Sequence, residues 1–214
     1  MRMLKRLAQI IEANSRYVLL GALLFVGSAL LGYLNSALVE QTAQQLMEQL
    51  QRIAEKIGEN GSPLAMFWVI FQNNVLASLS MLGLGVFFGV FPIFALTANG
   101  FLLGFMLKTF ALKGVSPLPV LMVGILPHGV IEIFAVILAA GIGIKYGFFV
   151  FRMVGNAFTG KRGSVIKEFQ ENLKDLPFIV VSVIFMLFIA AVIESTITPL
   201  LINIFIRNSI GLGA

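Results

Sequence analysis

The stretch PFIVVSVIFMLFIAAVIESTITPLLIN, from Pro177 to Asn203, contains one charged residue, Glu194. A helix needs roughly 20 apolar residues to cross the ~30 Å hydrocarbon core of a bilayer, so this stretch is typical of a transmembrane helix. Stretches of similar character precede it, with approximate bounds Tyr17–Asn35, Leu64–Phe91, Ile93–Leu112 and Pro127–Val150. The sequence therefore predicts an all-α fold, a polytopic membrane helix bundle with about five transmembrane helices.

The composition of the chain agrees with this fold class. Of its 214 residues, 58% are hydrophobic and 12% are charged, whereas a soluble domain carries about 25% charged residues. The chain has no cysteine, which excludes disulfides and thiolate metal sites. Its net charge is +5, but the basic residues lie beside the predicted spans, where membrane orientation accounts for them. We therefore expect no nucleic-acid partner.

The distribution of lysine and arginine predicts the orientation of the chain. Five spans place the N-terminal head and the loop after Val150 on one side of the membrane. Because cytoplasmic loops carry an excess of lysine and arginine, this side is predicted to be cytoplasmic, with the N-terminus inside. Its basic residues are Arg2, Lys5, Arg6, Arg16, Lys145, Arg152, Lys161, Arg162, Lys167 and Lys174.

A cleavable signal peptide ending near Ser36-Ala37 is the alternative interpretation of the N-terminal region. The head that precedes the first span is long and amphipathic, and the helical pattern continues past the supposed cleavage site. These features favour an uncleaved signal anchor.

Two segments outside the spans have amphipathic patterns. Apolar residues at alternating steps of three and four predict an outer helix at Val39–Ile57, lying either on the membrane or its own bundle, or against a second copy of the chain. A second apolar stripe, on the cytoplasmic side, suits a helix at the membrane surface. It consists of Val165, Ile166, Phe169 and Leu173.

The region before the fourth span is predicted to be irregular. Leu118–Leu126 is apolar but too short to cross a bilayer, so we predict a short re-entrant or interfacial segment. One long helix with a kink at Pro127 is the alternative. In the neighbouring spans, small residues are spaced for close approach of helix backbones. They are Gly85, Gly89, Gly100 and Gly104.

These patterns divide the chain into six regions. They are a basic cytoplasmic head (1–16), the first span (17–36), an extracytoplasmic amphipathic helix (37–62), a three-span core with the re-entrant segment (63–150), a cytoplasmic amphipathic loop (151–176), and the last span and tail (177–214).

A few polar residues inside the spans are candidates for function. Of the 10 acidic residues, Glu132 and Glu194 alone lie inside predicted spans, and the only histidine, His128, lies one helical turn before Glu132. At ~1.5 Å per residue, these groups and Asn73 and Asn74 of the second span fall at about one depth near the outer face. Because ionisable groups in a bilayer usually face a protein interior or a water-filled cavity, we predict a shared polar site.

Structural and functional roles both remain open for this layer. The structural role is a buried hydrogen-bonded network that fixes helix register. The functional roles are a substrate or ion site, a proton-coupled pathway, or a divalent-metal site with His128, Glu132 and Glu194 as ligands. No other cofactor is predicted.

No complete catalytic set is present in the sequence. An H-E-x-x-H metalloprotease site requires a second histidine, and the chain has one. No serine lies on a strained glycine turn from which it could pair with His128, and no G-x-x-x-x-G-K-[ST] loop occurs. We therefore predict that the chain is not an enzyme.

Several motifs of the chain resemble the stage II sporulation protein M family. They are Phe71-Gln72-Asn73-Asn74, the GVFFG stretch Gly85–Gly89, Asn99-Gly100-Phe101 with Gly104, Leu126-Pro127-His128-Gly129 with Glu132, and Ile193-Glu194-Ser195 with Thr198-Pro199. The resemblance extends from the second span to the fifth, and its P-H-G-x-x-E element is fairly specific. It implies a multi-pass protein of a bacterial or archaeal plasma membrane. The polar family positions that match are Asn73, Asn74, Asn99, His128, Glu132 and Glu194.

The resemblance also implies a function. The family takes its name from a sporulation protein regarded as the anchor of a peptidoglycan-degrading machine, although relatives also occur in organisms that form no spores. With no catalytic set present, we predict a non-enzymatic scaffold in cell-envelope remodelling, whose partners are membrane lipid and envelope-remodelling proteins. The alternative is a transporter or lipid translocator that uses His128, Glu132 and Glu194. Glycine-lined helix faces and the heptad-like outer helix predict a homodimer.

Overall fold

The computed structural model describes residues 2–35, 62–112, 114–156, 162–202 and 204. Within these ranges the chain forms seven helices and no strand. They are α1 (Arg2–Ala13), α2 (Ser15–Leu34), α3 (Pro63–Val86), α4 (Val90–Leu112), α5 (Pro117–Gly155), α6 (Arg162–Leu173) and α7 (Leu176–Leu201). The amphipathic helix predicted at Val39–Ile57 lies outside the described residues.

Five of the helices (α2, α3, α4, α5 and α7) are long and apolar enough to cross a membrane. Much of their apolar surface faces away from the bundle: Leu23, Phe94 and Phe185 are each more than 60% exposed. Large apolar side chains of this kind need no cover in hydrocarbon, because lipid tails are as apolar as they are. The predicted all-α membrane bundle is confirmed.

Helix α5 lies at the centre of the bundle and contacts α2, α3, α4, α6 and α7. Residues 137–144 of α5 are all buried. A side chain at Gly143 would collide with the backbone carbonyl of Met81 on α3, and a side chain at Gly141 would crowd the backbone of Tyr17 on α2. Small residues in this part of α5 therefore allow its neighbours to approach at backbone distance.

The close packing predicted at the glycines of α3 and α4 is observed. Gly85 lies against Gly143 of α5, and Gly104 lies against the backbone carbonyl of Ala29 on α2. Both contacts are inside one chain, so these glycines offer no face to a second copy. The homodimer remains a prediction that rests on the outer helix alone.

The boundary between the second and third spans differs from the prediction. The second span was predicted to end near Phe91, because a residue that precedes a proline, here Pro92, is disfavoured in helical geometry. In the structure α3 ends at Val86 and α4 begins at Val90. The turn between them uses a left-handed backbone at Phe88 (φ 57°) and Gly89 (φ 72°). Pro92 lies in the first turn of α4, where a missing backbone N–H is tolerated.

Helix α5 also corrects the predicted re-entrant segment. Residues 117–155 form one continuous helix, so the alternative of a single long helix is observed, and no separate piece forms at Leu118–Leu126. A π-helical turn at Val120–Ile125 precedes Pro127. The wider turn accommodates the proline, which cannot donate the usual bond to the carbonyl four residues earlier.

The head and the 151–176 region meet at the same end of the bundle, as five spans require. Arg6 of α1 forms an ion pair with Asp175 at 3.2 Å. The apolar stripe of α6 packs against α5: Val165 is 2% exposed, and Phe169 stacks edge-on against Tyr146. That this end faces the cytoplasm remains a prediction from the charge bias.

Candidate functional site

The candidate site is formed by α5 and α7. His128 and Glu132 lie one turn apart on α5, and Glu194 lies on α7. One potential ligand atom from each of the three residues lies within 4.8 Å of the other two. The residues that the sequence assigns to one depth are therefore neighbours in space.

Two π-helical turns position these side chains. One is the Val120–Ile125 turn of α5, and the other is Ile193–Ile197 of α7, which contains Glu194. Each turn ends two residues before a proline, Pro127 in α5 and Pro199 in α7. π-Helical turns are rare, and they occur frequently at functional sites. Here the turn of α5 ends three residues before His128, and the turn of α7 contains Glu194.

The two nitrogens of the His128 ring face different partners on α7. Nδ1 lies 3.1 Å from the hydroxyl oxygen of Thr198, which is hydrogen-bond distance. Nε2 lies 3.9 Å from a carboxylate oxygen of Glu194, which is too long for a hydrogen bond. The histidine side chain is 11% exposed and that of Glu194 is 26% exposed.

Glu132 has a partner on α3. The side chain of Asn74 makes a hydrogen bond to its carboxylate. A carboxylate has about four lone-pair positions, so this one bond leaves Glu132 with unused acceptor capacity. Three helices thus contribute polar groups to the site, as the depth of the residues along each span suggested.

The remaining predicted site residues are placed differently. Asn99 of α4 lines a cavity together with His128 and Glu132, and its amide also donates to the Ala95 carbonyl at 2.8 Å. Asn73 is exposed on α3 and lines neither cavity at the site. Consecutive helix residues are about 100° apart, so Asn73 and Asn74 cannot both face one point.

The sequence did not identify Thr198 as a site residue, although it lies in one of the family motifs. It is buried, and among the described residues it is the side chain that hydrogen-bonds to His128 Nδ1. Its spacing from Glu194, four residues, would indicate a shared helix face. That spacing was the feature of the sequence from which a role for Thr198 in the site could have been predicted.

Two cavities border the cluster, and His128 lines both. One has a volume of 150 Å³ and contains Glu132 and Asn99 in its wall, beside Phe25 of α2. The other has a volume of 470 Å³ and contains Glu194 and Thr198 in its wall. His128, like Ile125, therefore borders both a cavity that carries one carboxylate and a cavity that carries the other.

The path from the site toward the other end of α5 is closed. The smaller cavity extends along α5 as far as Val136. Residues 137–144 of α5 are buried, and Gly141, Gly143 and Gly147 touch the backbones of adjacent segments. The cluster is thus accessible through the half of the bundle that contains His128.

A comparison with known protein families agrees with the motifs of the chain. The model of the family described as stage II sporulation protein M matches residues 18–199. The chain belongs to the stage II sporulation protein M family. The matched region begins in α2 and contains every polar residue of the candidate site.

Two curated relatives are similar to this member of the stage II sporulation protein M family. Both are described as uncharacterized proteins of Methanocaldococcus jannaschii. One is 27% identical over 190 residues, which cover 86% of this chain and 82% of the relative. The other is 30% identical over 155 residues, which cover 72% of this chain and 83% of the relative. No solved structure matches the chain.

Proposed function

We propose that this multi-pass membrane protein transports an ion or small polar solute, and that His128, Glu132 and Glu194 form its binding site. The observation that carries the proposal is that His128 lines two cavities, with one carboxylate in each. Ionisable side chains inside a bilayer are costly and mark substrate or ion pathways. A histidine shared by two cavities is well placed to pass a bound species between them.

The bonding within the cluster argues against a purely structural network. A network that fixes helix register is stabilising when each polar group is satisfied. Here Nε2 and Glu194 are 3.9 Å apart, while His128 is bonded to Thr198 and Glu132 to Asn74. Glu132 lines one cavity and Glu194 lines the other, so both carboxylates are open to a ligand that enters.

Transport would require a conformational change. The glycine-packed part of α5 closes the path beyond residue 137, so a bound species can proceed only if α5 or α7 moves. The two π-helical turns adjoin the site, and helices bend most readily at π-bulges and prolines. We propose them as the points where α5 and α7 bend.

Flux into liposomes tests this function. Purified protein is reconstituted with entrapped pH- and cation-sensitive dyes, and H⁺, Na⁺, K⁺, Mg²⁺, Mn²⁺ and Zn²⁺ are presented in turn. Glu132→Gln and Glu194→Gln should each abolish the flux that the wild type supports. The matched control is Glu168→Gln, at an exposed ion pair with Arg152 on the opposite end of the bundle, which should keep it. Equal flux through wild type and both cluster variants would remove the site from the function.

A scaffold in cell-envelope remodelling is the second candidate. Membership in a family described as stage II sporulation protein M favours it. It is a non-enzymatic role in which the spans and the segment at Val39–Ile57 hold envelope-remodelling proteins. Pull-downs with the apolar face of that segment disrupted should lose those proteins, and recovery of the same partners would contradict the scaffold.

The proposed homodimer is tested in the same segment. The chain has no cysteine, so single cysteines can be introduced at Leu46 or Leu50 without background. Oxidation in native membranes should yield a crosslinked dimer if two copies pair there. A chain that stays monomeric at both positions would exclude that interface.

A further inference from the structure

We propose that the ligand of this site is a divalent first-row transition-metal cation of the Zn²⁺ or Mn²⁺ class. It would be bound by Nε2 of His128 and one oxygen each from Glu132 and Glu194. The inference concerns the same site as the proposed transport function and names the chemical class that the site accepts. Imidazole suits zinc, iron and nickel, and carboxylate suits manganese and magnesium, so one imidazole with two carboxylates favours ions that accept both.

The hydrogen bonds of Thr198 determine which histidine nitrogen is free. The hydroxyl donates to the Ile193 carbonyl at 3.4 Å, and its single hydrogen is then used. We assign the hydroxyl hydrogen to that carbonyl, so that the oxygen accepts from Nδ1–H of His128 at 3.1 Å and the histidine proton lies on Nδ1. Nε2 is left with its lone pair directed toward the carboxylates, which is the state that a metal-binding imidazole needs.

The charge of the cluster also calls for a cation. In the metal-bound state, with the histidine neutral and both carboxylates ionised, the three ligands carry two negative charges in a bilayer environment where unpaired charge is costly. Among the described residues, no lysine or arginine lines either cavity. A divalent cation would balance this charge without a further protein group.

The surrounding residues act as positioning residues for the ligands. Asn74 is bonded to Glu132 and Thr198 to His128, and outer partners of this kind fix the orientation of metal ligands. The donor atoms lie within 4.8 Å of one another, whereas donors on one tetrahedral ion lie ~3.4 Å apart, given bonds of about 2.1 Å. Binding would draw the three side chains together by about 1 Å. The 470 Å³ cavity provides an entry path and room for a water ligand.

Metal titration of the full chain in lipid nanodiscs, with any purification tag removed, tests the inference. Zn²⁺ and Mn²⁺ are titrated by calorimetry, and Co²⁺ by its visible absorption, which reports the ligand geometry. One ion should bind per chain, and His128→Gln or Glu194→Gln should weaken binding at least 100-fold. Glu168→Gln should bind as the wild type does. No saturable binding by the wild type, or equal binding by wild type and both ligand variants, would overturn the site.

Thr198 offers a test that does not depend on removing a ligand. Thr198→Val should weaken metal binding about 10- to 100-fold and change the cobalt spectrum, and Thr198→Ser should restore both. If valine and serine bind the metal equally well, the hydroxyl does not set the histidine tautomer, and the assignment of Nε2 is overturned.

The metal titration and the flux measurement test the metal site and the transport function independently. Metal binding without flux of any ion would keep the metal site and overturn transport. Flux of another ion without metal binding would keep transport and overturn the metal site. Thermal unfolding of the wild type with and without Zn²⁺ adds a readout that needs no variant: zinc should raise the unfolding temperature, and an unchanged temperature at saturating zinc would contradict the site.

Discussion

The two halves of α5 belong to one continuous helix, yet they differ in packing and in accessibility. The His128 half (residues 117–134) contains a π-helical turn and borders two cavities. The Lys145 half (residues 135–155) is rich in alanine and glycine, and its residues 137–144 are buried against the neighbouring helices. Because small residues bring backbones together and π-turns spread them, the sequence of one helix makes one half rigid and leaves the other accessible.

The ionisable groups of the two halves show the same contrast. Lys145 donates to Asn14 of the α1–α2 junction and to Asn172 of α6, so its charge lies inside a satisfied bonding network. The carboxylates of Glu132 and Glu194 have unused acceptor positions. An ionisable residue in a transmembrane helix is therefore a candidate for function when its neighbours leave its bonding capacity incomplete, and a structural element when they complete it.

The largest expected effect is the insertion of a side chain into the packed half of α5. Gly143→Val would drive a branched side chain into the backbone carbonyl of Met81, so we expect a loss of more than ~3 kcal/mol and little folded protein. Fluorescence-detected size exclusion and thermal unfolding measure this. Gly155→Val is the control, since nothing lies within 4 Å of that position, and it should fold normally. A stable Gly143→Val protein would contradict the proposed rigidity.

The next effect concerns Lys145. Lys145→Met removes the donor shared by Asn14 and Asn172 and leaves a buried amide oxygen without its partner. Such a loss costs about 2 kcal/mol or more, and we expect a lower unfolding temperature with α1 and α6 loosened. Limited proteolysis at the α6 end reports that loosening directly. Unchanged protease resistance would mean that the network does not hold these helices.

The His128 half should respond in the opposite way. Glu132→Gln keeps a group that can bond to Asn74 and removes one of two neighbouring negative charges, so stability should change by less than ~1 kcal/mol or increase. Thermal unfolding in the same detergent as the Lys145→Met protein gives the comparison. A strong destabilisation by glutamine would identify Glu132 as a structural residue.

The smallest effect is expected at the surface of the Lys145 end. The Arg6–Asp175 ion pair is about half exposed at both side chains, and exposed pairs contribute at most about 1 kcal/mol. Arg6→Ala should therefore lower stability only slightly, although Arg6 also packs over the ring of Phe178. Salt titration of the unfolding temperature separates the ionic part. A loss of stability comparable to that of Lys145→Met would show that the ion pair acts together with the bonds of Lys145 to Asn14 and Asn172.

Much of this arrangement is predictable from the sequence because bilayer thickness constrains each span. Counting ~1.5 Å per residue from the span ends suffices to place His128, Glu132 and Glu194 at one level. Hydropathy gives the number of spans but not their exact ends. A proline is compatible with both the end of one helix and the first turn of the next, so Pro92 was assigned to the wrong boundary.

Other features depend on contacts that no local pattern contains. The two π-helical turns arise where a proline must be accommodated inside a packed helix, and the same prolines are compatible with a kink or a break. Lys145 was counted with the loop that follows its span, whereas it lies inside α5 and bonds to residues distant in the chain. The Thr198 contact with His128 joins residues 70 positions apart.

The most direct test of the contrast between the two halves is to measure stability and flux on one preparation of Glu194→Gln. We expect an unfolding temperature close to that of the wild type together with loss of the flux that the wild type supports. Flux that persists at the wild-type rate would contradict the account, and so would a protein that loses flux only because it no longer folds.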